Sequence, residues 1–95
     1  MMKIEIQEST DSVVLKVEGR LAGACAGELE NCWKAAREKR PDGTISVDLK
    51  NVTCVDRAGR YLLQMLHRNG VPFLRAGLAV QDILEQIMEQ PECHH

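Results

Sequence analysis

The side chains able to do chemistry in this sequence are few, and most stand alone. The three histidines are His67, His94 and His95, and the four cysteines are Cys25, Cys32, Cys54 and Cys93. His67 falls on the polar side of a helical pattern, which predicts a solvated surface residue. Cys93, His94 and His95 offer three adjacent metal ligands, but in a terminal tail they make a poor site, and no metal is expected. Cys25 and Cys32 lie seven positions apart on one face of a helical pattern and read as core residues. Cys54 reads as a small apolar packing residue; exposure near a helix start would instead favour a reactive thiolate. Asp48 and Asp56 could in principle hold Mg²⁺. Without a third carboxylate or a phosphate-binding loop they read as structural. There is no GxxxxGK[ST], GxGxxG or GxSxG pattern. Nothing in the residues calls for a catalytic site or a cofactor.

One short segment stands out. In VDLKNVTCVDRAGRYLLQML, from Val47 to Leu66, strand-like alternation gives way to helical spacing across Asp56-Arg57-Ala58-Gly59. Asp56 is suited to cap the helix by accepting a bond from the N–H of Ala58 or Gly59. Gly59 would let the helix approach the sheet closely. Arg57 fits neither purpose, because a cation in the first helical turn opposes the helix dipole. Arg60 adds a second positive charge, and Arg20 and Arg75 are expected at the same end. Solvated arginines would account for these four without a site. A surface for a partner or an anion is the alternative.

The elements that position this turn follow from periodicity. Ile4 and Ile6 alternate with polar residues as a short strand, and after the turn at 8–12, Val13, Leu15 and Val17 mark a second, forming an antiparallel hairpin. Residues 19–23 read as a loop. Cys25, Leu29, Cys32, Trp33 and Ala36 then mark one face of a helix, with Glu30 and Lys34 placed to pair across a turn. Pro41-Asp42-Gly43 ends it. Ile45, Val47 and Leu49 mark a third strand. Ala58, Leu62, Met65 and Leu66 line a second helix, stopped by Asn69-Gly70. Val71 to Arg75 reads as a fourth strand, with Pro72 implying a late start or an edge position. Val80, Ile83, Leu84, Ile87 and Met88 mark a third helix.

The order β-β-α-β-α-β-α predicts an α/β fold in two layers: a mixed four-stranded sheet, helices mainly on one face, the other face substantially wet. Strands 2 to 4 should run parallel. The loops that follow them, 19–23, 50–58 and 75–77, would then gather on one side, where open α/β sheets bind ligands and partners.

The 95 residues suffice for one domain, expected over 1–90 with a flexible tail at 91–95. A net charge of -2 gives no basis for a nucleic-acid partner. No apolar run approaches the roughly 20 residues of a membrane span. The charged, alternating N-terminus lacks a signal-peptide pattern, so a cytoplasmic protein with reduced thiols is expected.

The chain resembles the STAS family, the sulfate transporter and anti-sigma factor antagonist domains. The likeness lies in VVLKVEGRLAGACAGELENCW (13–33), ISVDLKNVTCVDRAGRYLLQML (45–66) and the closing helix around Ile83 to Met88. Its most specific part is D-L-x-x-V-x-x-x-D-x-x-G from Asp48 to Gly59, after the E-G-x-L of Glu18 to Leu21. The resemblance implies a non-catalytic binding module that docks a switch-protein kinase, or anti-sigma factor, through the loop and helix after the third strand. It also implies that such a kinase phosphorylates a Ser or Thr in an Asp-Ser-Ser-Gly-like turn. Here that turn is Asp56-Arg57-Ala58-Gly59, and Ala58, at the acceptor position, has no hydroxyl. Arg57 replaces a small residue, and Ala22 stands where many members carry Asp. The expected interface is therefore Asp56, Arg57, Ala58, Gly59, Arg60 and Arg20, in a module that cannot be switched at Ala58. Two alternatives remain: a small STAS subunit beside the ATPase of a lipid-trafficking ABC transporter, or a nucleotide- or anion-binding domain using the basic loops.

Overall fold

The computed structural model describes residues 2–89, apart from the side chains of residues 78, 79, 88 and 89. The tail at 91–95, with Cys93, His94 and His95, lies outside the described residues, as does the side chain of Met88. The elements are β1 (Met2–Glu8), β2 (Ser12–Leu21), α1 (Ala24–Lys39), β3 (Thr44–Val55), α2 (Arg57–Arg68), β4 (Phe73–Leu74) and α3 (Leu78–Glu89). They form a four-stranded sheet in the order β1-β2-β3-β4. β1 pairs antiparallel with β2, while β2, β3 and β4 are mutually parallel. The predicted fold class and element order are therefore observed.

The core lies between the three helices and one sheet face. Val13, Leu15 and Val17 of β2 and Ile45, Val47 and Leu49 of β3 meet Leu29 and Trp33 of α1, Leu62 and Leu66 of α2, and Val80, Leu84 and Ile87 of α3. These aliphatic side chains supply most of the stabilisation, at about 1.5–3 kcal/mol for each one fully buried. Ile83 is only half-buried, whereas Leu63, absent from the helical stripe read from sequence, is fully buried. α2 packs against both α1 and α3, so it needs a wider apolar face than one stripe.

Several boundaries and faces differ from the sequence reading. Residues 19–21 are not loop: β2 continues to Leu21, and β3 continues to Val55 beside it. Their pairing survives two register shifts, between Lys16 and Glu18 and between Gly19 and Arg20. Such irregularities break the two-residue alternation by which strands are read. β4 is shorter than expected, because Pro72 cannot donate to the ladder and pairing begins at Phe73. On α1 the buried residues are Ala26, Leu29 and Trp33. Cys32 and Ala36 pack against the core from its margin, and Cys25 is half-buried, so neither cysteine is a full core residue. Cys54 is exposed, which rules out its packing role. Ala58 is exposed rather than lining the core side of α2; in that first turn it is Gly59 that faces the sheet. The expected Glu30–Lys34 pair is present at 3.1 Å.

The helix-free face is less wet than expected at its centre. Ser46 and Asp48 are buried, so β3 is covered continuously from Ile45 to Leu49. β3 is flanked on both sides, and the Arg75 side chain reaches over Asp48.

Candidate functional site

Because β2 and β3 run long, the loops at their carboxyl ends are short. The connection from β3 to α2 is one residue, Asp56, and from β2 to α1 it is Ala22-Gly23. Asp56 is extended, at φ -94°, and caps α2: its Oδ1 accepts from the Gly59 N–H at 2.9 Å. Its Oδ2 accepts from the Gly23 N–H at 3.1 Å. One carboxylate therefore ties together the starts of both helices. The first bond is the cap expected from sequence. The second was not legible, because it joins residues 33 positions apart.

Gly59 is buried and packs directly on β2. A Cβ there would overlap the Leu21 carbonyl oxygen and lie 3.0 Å from Val55 Cγ1. The close approach expected of Gly59 is present, and its partner is the last residue of β2. The Asp56 N–H also donates to the Leu21 carbonyl, at 3.3 Å. Leu21 thus anchors the turn through its backbone and the core through its side chain.

With Gly59 buried against β2 and the Asp56 carboxylate bonded to the starts of both helices, Arg57 and Ala58 are left exposed on the turn. Beside them runs a groove between α1 and α2, about 260 Å³ in volume. Gly23, Ala26, Gly27 and Glu30 form one wall, and Ala58, Tyr61, Leu62 and Met65 form the other. Its lining is chiefly apolar, with Glu30 at one side. Tyr61 is 73% exposed, the most exposed large hydrophobic residue described. Sequence reasoning missed Tyr61. Its signal was available: an aromatic ring placed off the buried stripe of an amphipathic helix. Larger concavities of about 370 and 450 Å³ lie at the far end of the sheet, lined by loop residues such as Thr10, Gly43 and Gly70.

The four arginines are not gathered into one cluster. Arg75 bonds Asp48 Oδ2 at 2.6 Å from a left-handed conformation, φ 50°. Arg60 donates to Gln86 of α3 at 2.7 Å. Arg20 alternates with buried Leu21 and so points to the opposite side of β2. Arg57 alone stands in the turn itself. The α2 N-terminus, a natural anion position, is already occupied by the Asp56 carboxylate.

Asp48 is likewise committed. Burial alone would raise its pKa; the Lys50 N–H, the Arg75 bond and charge, and the Lys16 charge outweigh that and hold it below its ordinary 3.8. The two carboxylates considered for Mg²⁺ thus serve separate structural ends. Among the described residues, no group of three or more His, Cys, Asp or Glu is placed to hold a metal ion. His67 is exposed, as expected. No described helix is long and apolar enough to cross a membrane.

No protein-family model and no curated protein matches this sequence. Among solved structures, the chain is similar to the anti-sigma factor antagonist SpoIIAA in its unphosphorylated form. The TM-score is 0.67 at 14% identity, over 88% of this chain and 79% of that one. A structure of Mglu in its glutamate form matches 77% of this chain and 26% of that chain, at 19% identity and a TM-score of 0.42. The likeness to SpoIIAA is one of fold, and the chain has the STAS fold.

Proposed function

We propose that this chain is a non-catalytic protein-interaction module that acts as an anti-sigma factor antagonist. It docks an anti-sigma factor, or switch-protein kinase, through the start of α2. The observation that carries the reading is the exposed Arg57–Ala58–Tyr61 surface, set on a turn that Asp56 and Gly59 hold rigid. A preformed surface loses little entropy on binding. An exposed Tyr beside an apolar groove is the type of anchor that concentrates binding energy. Similarity to SpoIIAA supports the assignment at the level of fold.

In this reading Arg57 contributes charge steering, with Arg20 and Arg60 more peripheral. Asp56 and Gly59 act by holding the shape. Ala58 occupies the phospho-acceptor position and cannot receive a phosphate, so the module stays competent to bind. A non-catalytic role is supported by the internal commitment of both candidate carboxylates. The nucleotide or anion reading loses ground because Asp56 fills the helix-terminal position an anion would need.

The test is an amide-shift titration of ¹⁵N-labelled protein with purified anti-sigma factors of the source organism, one at a time. One of them should shift the amides of Gly23, of residues 56–61 and of the α1 face of the groove. Binding confined to the helix-free sheet face, or no binding by any member, would overturn the assignment.

A further inference from the structure

β1 is seven residues long and lies at the edge of the sheet. Among the described residues nothing pairs with its outer side, and an open edge is a template for another strand. The opposite edge is blunted: β4 has two residues and follows Pro72. β1 has neither protection. Met2 and Ile4 are only half-buried and Ile6 is 50% exposed. Yet Ile4 pairs with Val17 and Ile6 with Leu15, so these residues belong to the core face. Lys3 and Glu5 lie on the other face, opposite Glu18 and Lys16. The edge therefore suits a strand with apolar residues on one side and complementary charges on the other. β1 is itself such a strand.

Only a few registers allow two copies to pair about a two-fold axis. Facing residues in an antiparallel pair are either both hydrogen-bonded or both not, so the axis must pass through a residue position. An axis at Lys3 sets lysine against lysine. An axis at Glu5 sets glutamate against glutamate. An axis at Ile6 sets Ile4 against Glu8. An axis at Ile4 sets Ile4 against itself and Met2 against Ile6 on the core face, with Lys3 against Glu5 twice on the other. Every facing pair among residues 2–6 is then favourable. Glu8, held by Lys39 and Arg40 within the chain, is left outside the paired stretch.

We propose that the β1 edge is a homodimerisation surface, used in the register centred on Ile4. The two sheets join into one, and Met2, Ile4 and Ile6 gain the cover that a single chain does not give them. β2 separates this edge from β3 and the α2 turn, so a dimer would present two docking turns. The inference is independent of the proposed function.

The test is sedimentation equilibrium of the full chain across a concentration series from micromolar to millimolar. Wild type should move from the 10.6 kDa monomer toward twice that mass. Lys3→Glu and Glu5→Lys, each alone, set like charges together twice and should weaken dimerisation roughly tenfold or more. An equimolar mixture of the two variants sets opposite charges together again and should form dimers. Ile6→Lys, at a half-exposed position, should also lower the dimer fraction while keeping a cooperative melt. A wild type that stays monomeric throughout, or a mixture no more dimeric than its components, would overturn the proposal.

Discussion

Replacing Gly59 by alanine tests whether the turn is held by contact with β2. In most helices this substitution stabilises, by up to about 1 kcal/mol. At Gly59 the added Cβ would sit inside the van der Waals envelope of the Leu21 carbonyl oxygen and 3.0 Å from Val55 Cγ1. The obstacle is backbone, and it is pinned by the β2–β3 ladder and by the Asp56 N–H. Relief requires the α2 start to move by on the order of an ångström in a close-packed core. That movement stretches the Asp56–Gly59 cap and loosens Leu62 and Leu63. Overpacking of this kind costs about 1–3 kcal/mol, and a lost cap costs about 1 kcal/mol more. After the propensity gain, the net loss is about 2 kcal/mol, or roughly 10 °C in Tm for a domain of this size. Gly27→Ala is the matched control, since its Cβ meets nothing within 4 Å. It should gain about 0.5–1 kcal/mol. Urea and thermal unfolding of the two variants beside wild type give the comparison. If Gly59→Ala proves as stable as wild type, or gains like Gly27→Ala, the close-contact account of the turn is wrong.

Other substitutions probe the remaining parts of the site. Asp56→Ala removes the bonds to both Gly59 and Gly23, and should cost about 1–2 kcal/mol in urea unfolding. Asp48 gives an acid-limb prediction. Its folded pKa lies below the unfolded value, so its contribution is fully present above the ordinary 3.8 and is lost as pH falls through the lowered value. Asp48→Asn should flatten stability against pH in that acid range and leave the slope above it unchanged, as followed by the urea midpoint. On the proposed function, Arg57→Glu should slow association with the anti-sigma factor partner and reduce the salt dependence of its on-rate, with Tm within a degree or two of wild type.

Much of this molecule was legible from periodicity. The alternation of Val13, Leu15 and Val17, and of Ile45, Val47 and Leu49, gave two strands and the face that they bury. The stripe of Leu62 and Leu66 gave α2, and Asp56 could be read as its cap from residue type and place. What stayed hidden depends on distance in sequence. The bulges that carry β2 on to Leu21 appear only when two strands pair. The second bond of Asp56, to Gly23, appears only when two loops meet. Asp48 looked like a residue of a wet face because its cover comes from Arg75, 27 positions later. Leu63 lay off the expected stripe because α2 packs against both α1 and α3 and needs a wider apolar face than one stripe. Tyr61 was legible in principle, since an exposed aromatic leaves a mark on a helical pattern.

The most direct test of the proposed function is the affinity of Ala58→Glu for the proposed anti-sigma factor partner, measured by calorimetry beside the melting curve of the variant. Ala58 is exposed at the start of α2 and lines the groove. An acidic residue in the first helical turn is tolerated or mildly stabilising, so the fold should be unchanged. In an interface the same charge must be desolvated next to the partner, as a phosphate at this position would be. The account predicts a wild-type melting curve together with binding at least tenfold weaker, while Ala58→Ser binds like wild type. A folded Ala58→Glu that binds as tightly as wild type would contradict it and place the interface elsewhere on the protein.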